Sequence, residues 1–152
     1  MDVKTKFGFS LLEMIIAVGI LVMLTVGSLG IYGNYSKNIE LDSSVASIIS
    51  DLKSAQSKSI NGEQDLKWGI HFVNGATDYY EIFSTATDYG SGTVKTKTYL
   101  VSGIALSEPS EGINKDVIYG KISGTISSDT TVKIISGGTE KIINITALGN
   151  IY

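Results

Sequence analysis

From Phe9 to Tyr32 the chain reads FSLLEMIIAVGILVMLTVGSLGIY, apolar throughout except for Glu13. At 1.5 Å rise per residue this stretch predicts a helix of roughly 36 Å, enough to cross a ~30 Å hydrocarbon core with some tilt. Lys4 and Lys6 lie ahead of it and no further lysine appears before Lys37. That asymmetry predicts a single-pass anchor with its N-terminus in the cytoplasm and the bulk of the chain outside. Past the apolar stretch, Val45, Ile48, Ile49, Leu52, Ala55 and Ile60 recur at near 3.6-residue spacing, with Asp51, Lys53, Ser54 and Lys58 on the other face. Asn61-Gly62 is a stop signal, since glycine accepts the left-handed cap. One helix, or two nearly collinear ones, is therefore expected from about Ser10 to Ile60.

The pattern then shortens to a period of two. Lys67 to Val73 alternates with Trp68, Ile70 and Phe72 on one face, Asn74-Gly75 turns, and Tyr79 to Phe83 returns. Asp88-Tyr89-Gly90-Ser91-Gly92 is a second turn, followed by an alternating run from Thr93 to Val101 and a short apolar run from Ile104 to Leu106. Glu108-Pro109-Ser110-Glu111-Gly112 closes that run. Asp116 to Tyr119 and Lys121 to Ile126 read as further strands. Thr131 to Ser136, Gly137-Gly138 and Thr139 to Thr146 form the clearest hairpin. The expected fold class is α+β: a long N-terminal helix, with a transmembrane half and an amphipathic half, packed on an antiparallel β-sheet domain.

Glu13 is the residue that hydropathy alone leaves unexplained. A carboxylate inside a membrane segment costs on the order of 2.5–3.5 kcal/mol at the helix centre. Near the positive N-terminal end of a helix it costs less, yet such groups usually have a partner. A secretory signal peptide would place a small-residue cleavage site after the apolar run, but here the amphipathic pattern continues directly onward. A plain signal anchor explains neither Glu13 nor the Gly8-Phe9 junction. A buried core helix disagrees with the length and with hydrophobicity on all sides.

The string Lys6-Phe7-Gly8-Phe9-Ser10-Leu11-Leu12-Glu13 resembles the processing site of type IV prepilins and type II secretion prepseudopilins. The resemblance implies that a prepilin peptidase cuts between Gly8 and Phe9 and methylates the new amino-terminal Phe9. It implies that Glu13, fifth in the mature chain, meets the N-terminal amine of a neighbouring subunit during filament assembly. It also implies other pilin or pseudopilin subunits, an inner-membrane assembly platform and membrane lipid as partners. Many major pilins carry a proline later in this helix. This chain has Gly27, Gly30 and Gly33 instead, either loosening the helix or forming a strip for close helix packing.

The expected organisation is a leader over 1–8, a transmembrane helix over 9–33, an amphipathic continuation over 34–62 and a β-rich domain over 63–152. The order of helix, tryptophan strand and many short strands resembles the H-type minor pseudopilins and their pilus counterparts, the GspH/FimT group. Asp51-Leu52-Lys53-Ser54-Ala55, Trp68-Gly69-Ile70 and the final strands near Gly149 carry that likeness. It implies a pilin-like fold and a minor subunit that helps to start or cap a filament, first in the bacterial inner membrane and then in a periplasmic or cell-surface filament.

Composition narrows the rest. All 12 basic residues are lysine, cysteine is absent and the net charge is −3, so neither an arginine-based phosphate reader nor a disulfide scaffold is expected. A chain starting at Phe9 keeps 10 lysines against 14 acids, which disfavours binding to nucleic acid. The alternative function, a DNA-uptake minor pilin, rests on Lys95, Lys97, Lys121 and Lys133 clustering in space. No catalytic residue, cofactor or metal is expected. His71 is the only histidine and falls on the strand face opposite Trp68, which predicts an exposed strand histidine. Glu108, Glu111, Asn114 and Asp116 share one loop region without EF-hand spacing. Tyr79, Tyr80, Tyr89, Tyr99 and Tyr119 divide between a contact surface and ordinary core and strand-edge positions.

Overall fold

The computed structural model describes residues 8–152, with no side-chain description for 26–34. Residues 1–7 of the expected leader, with Lys4 and Lys6, and the Gly27, Gly30 and Gly33 strip thus lie outside the described residues or side chains. The chain divides into two compact units, Met1–Ser36 and Lys37–Tyr152. The helical element α1 is Leu11–Ile60.

The transmembrane half of the expected fold is corrected. Among the described residues no helix is long and apolar enough to cross a membrane. The residues expected to complete a span are those whose side chains are not described. What the described residues support is an α+β unit of one helix and antiparallel sheets.

That unit starts from the helical stripe. Leu41, Ile48, Leu52 and Ala55 are fully buried and Val45 and Ile49 pack beside them, one face of a 3.6-residue period. The stripe ends differently from expectation. Ile60 is partly exposed, and Ser59 takes the buried position, its hydroxyl donating to the Tyr119 carbonyl at 2.8 Å. Gly62 closes the helix at φ 61°, as its sequence position implies.

Seven strands follow: β1 Lys67–Val73, β2 Tyr79–Thr85, β3 Thr93–Tyr99, β4 Ile104–Glu108, β5 Asn114–Tyr119, β6 Thr130–Ser136 and β7 Thr139–Ile145. They form two sheets instead of one, in the orders β3-β2-β1-β5 and β4-β6-β7. All the pairings are antiparallel. Trp68, Ile70 and Phe72 share their face of β1 with their cross-strand neighbours Tyr119 and Val117, and bury against the helix stripe. Val132, Ile134, Ile143 and Ile145 extend the same core into the second sheet. The β1–β2 turn ties the two sheets together. Asn74 Nδ2 donates to the Leu106 carbonyl at 2.9 Å, and Asp78 Oδ2 accepts the Leu106 N–H at 2.7 Å.

The β6–β7 hairpin turns through Gly137 and Gly138, both at positive φ, as a tight two-residue connection needs. The strand expected over Lys121–Ile126 is absent. Ile122 at φ 67° and Gly124 at φ 65° bend that segment, and the Gly120 N–H donates to the Thr125 carbonyl at 2.7 Å. Its apolar alternation is a turn tied to the helix: Gln56 Nε2 donates to the carbonyls of Gly124 and Gly149 at 3.0 and 2.8 Å.

Candidate assembly site

Gly8, Phe9 and Ser10 precede α1 without regular secondary structure, and all three are exposed. A Cβ placed on Gly8 would meet nothing within 4 Å, and Phe9 is 79% exposed. The peptide between them is therefore open on the Gly8 side and bordered by an accessible aromatic ring. The first helical hydrogen bond runs from the Met14 N–H to the Ser10 carbonyl at 3.2 Å, which places Glu13 in the first turn. The unpaired amides there carry partial positive charge and favour a carboxylate.

The Glu13 side chain is exposed and makes no hydrogen bond or ion pair with another described residue. Its neighbours Leu11, Leu12, Met14, Ile15 and Ile16 are all more than half exposed. A carboxylate without a partner is thus surrounded by apolar side chains that are themselves uncovered. Burial of those side chains against other molecules would desolvate Glu13 and make an incoming ammonium its natural counter-charge.

A second cluster lies on the outer face of the four-stranded sheet. Asp116 of β5, His71 of β1, Glu81 of β2 and Lys97 of β3 face one another in register across four strands. Asp116 Oδ1 pairs with His71 Nδ1, and Lys97 Nζ lies 3.2 Å from Glu81 Oε1. Tyr89, from the short 3-10 turn Tyr89–Ser91, stacks on the His71 ring at 3.6 Å and donates its hydroxyl to Glu81 at 2.5 Å. His71 does lie opposite Trp68, but it is only 6% exposed. The expected exposed histidine is corrected because Tyr89 covers it.

Burial works against ionised Glu81, but the Tyr89 hydroxyl, the Lys97 ammonium and the charge at His71 more than offset it, so its carboxyl titrates below the usual range. The same Glu81 contact, with burial, pushes the Tyr89 hydroxyl up to about 12. Glu108 is likewise held low by Lys115 at 2.6 Å and by the Thr131 hydroxyl. A carboxyl lowered on folding stabilises the fold above its unfolded pKa and loses that contribution as pH falls through the folded one. The carboxyl contribution to stability in urea unfolding is therefore expected to be constant near neutrality and to decline below about pH 4. Glu81→Gln should flatten that decline, and an unchanged acid profile would remove Glu81 from the account.

The lysines invoked for DNA do not form a free patch. Lys97 pairs with Glu81 and lies 3.4 Å from the Tyr79 ring, while Lys121 pairs with Asp65. Lys133 lies 3.8 Å from Glu108, and Lys95 stands over Trp68. Glu108 and Asp116 serve different partners, and among the described residues no group of three or more His, Cys, Asp or Glu could hold a metal ion. The tyrosines divide: Tyr80 and Tyr119 are core, Tyr89 covers His71, and Tyr99 is exposed. No protein-family model, curated protein or solved structure matches the chain.

Proposed function

We propose that the chain is a minor pilin or pseudopilin, a structural subunit of a type II secretion or type IV pilus filament that helps to initiate or cap assembly. The observation that carries this reading is the pairing of an open Gly8–Phe9 junction with an unpartnered Glu13 on an uncovered apolar helix. In the proposal a prepilin peptidase removes residues 1–8 and methylates Phe9. Glu13 then receives the N-terminal amine of a neighbouring subunit while the apolar side chains pack together. Other subunits, the assembly platform and lipid are its partners, and association with the bacterial inner membrane precedes assembly. The unit from Lys37 onward supplies a folded surface and no reaction.

Coexpression with a prepilin peptidase tests the first step. Intact-mass measurement should show loss of residues 1–8 and one added methyl group. Gly8→Ala should still be cut, because a methyl group meets open space there, while Gly8→Trp should block the peptidase's approach to the bond. Equal cleavage of all three chains, or of none, would count against the reading.

A further inference from the structure

The outer-face row leaves one group without an assigned task. His71 is the only histidine in the chain, and histidine is the residue type suited to a change of charge between about pH 5 and 8. Four elements bring charged or titratable groups against it: β5 brings Asp116, β2 brings Glu81, the 3-10 turn brings Tyr89, and β3 brings Lys97 beyond Glu81. Lys67 shares a surface hollow with Asp116, and Tyr79 lies under Lys97. With a proton on His71 the row alternates negative, positive, negative, positive from β5 to β3. Without it, Asp116 and Glu81 flank a neutral ring, and the two carboxylates lose the cation between them.

Tyr89 couples this row to the turn over residues 86–92. Its ring lies parallel to the imidazole, 6° apart, and its hydroxyl holds Glu81. Beyond these contacts the turn over residues 86–92 is held mostly by its own short bonds. Ser91 N–H donates to Asp88 Oδ1 at 3.0 Å, and Gly92 N–H donates to the Tyr89 carbonyl at 2.9 Å. Thr85 Oγ1 donates to the Asp88 carbonyl and accepts the Thr87 N–H. The edge of Tyr89 also meets Phe83 at 5.0 Å.

We infer that His71 is a proton-operated clasp that fastens the turn over residues 86–92 to the outer face of the four-stranded sheet. The charged ring holds Asp116 and Glu81 in place, and Glu81 in turn holds the Tyr89 hydroxyl; the neutral ring releases part of that hold. The consequence reaches the surface, because Thr87 of the same turn and Asp116 of the row both line a hollow of about 510 Å³, together with Lys67 and Ser127. The clasp thus sets one wall of that hollow, independently of the assembly site.

Hydrogen-exchange mass spectrometry of the full chain, corrected for the intrinsic pH dependence of exchange, tests the clasp. Protection of the segment 86–92 should fall about fivefold as pH rises from about 5 to 8, while segments of β6 and β7 stay level. His71→Gln should abolish the pH dependence. Asp116→Asn, which keeps the imidazole and removes one flanking charge, should shrink it. Protection that is flat with pH in the wild-type chain, or that changes equally in His71→Gln, would overturn the inference.

Discussion

A Glu13→Gln chain is expected to be cleaved and methylated as fully as the wild type and yet to be almost missing from filaments. In the proposed form, cleavage acts on the exposed Gly8–Phe9 junction, which precedes the helix, and does not call on the carboxylate. Assembly in the proposed form brings an amine against Glu13 among apolar side chains that are all uncovered in the isolated chain. Removing one partner of an ion pair in such surroundings costs roughly 3–5 kcal/mol, because the remaining charge is buried alone. That corresponds to a loss of about a hundredfold or more in incorporation. Immunoblots of sheared filaments against cell-retained chain measure the ratio, and wild-type incorporation of Glu13→Gln would show that the carboxylate takes no part.

The largest effect within the folded unit is expected at Trp68. Its side chain is buried on the helix-facing side of β1, its Nε1 donates to the Glu63 carbonyl at 3.0 Å, and the Lys58 ammonium lies 4.3 Å from its ring. Trp68→Ala should lower the unfolding free energy by about 3–5 kcal/mol through lost burial and the cavity left behind. Against a total of about 5–15 kcal/mol for a domain, that shift approaches loss of the fold. Leu148→Ala is the matched comparison, since Leu148 is 75% exposed and should change stability by less than about 0.5 kcal/mol. Urea titration followed by far-ultraviolet circular dichroism gives both values.

Local pattern was enough to place β1, β2 and the β6–β7 hairpin, because each depends on strict alternation and on turn residues able to take their φ. It was not enough for Lys121–Ile126, where the same alternation is folded into a turn by Gly120, Ile122 and Gly124 and by Gln56 from a distant part of the helix. The helix stripe was readable to Ala55. Its last buried position went to Ser59, because the Tyr119 carbonyl supplies a partner that no local rule reveals. Division of the strands into two sheets was likewise hidden, as it depends on β5 crossing to β1 and on Asn74 and Asp78 bridging to β4.

The expected membrane span is corrected, since among the described residues no helix is long and apolar enough to cross a membrane. Gly8, Phe9 and Glu13 came from a short motif whose spacing is its information, and the structure adds their exposure. The row around His71 was half legible. A hairpin turning at Asn74-Gly75 brings His71 opposite Glu81, but Asp116 and Lys97 join only through long-range pairing. Tyr89 covers the row from a turn whose direction the sequence does not state.

The most direct measurement is mass spectrometry of the N-terminal peptide of this chain, recovered from filaments sheared off cells that express it. The account predicts one dominant N-terminus, Phe9 bearing a methyl group, enriched in the filament fraction over the cell fraction. A chain that begins at Met1, that is cut anywhere beyond Tyr32, or that never enters the filament fraction would contradict it.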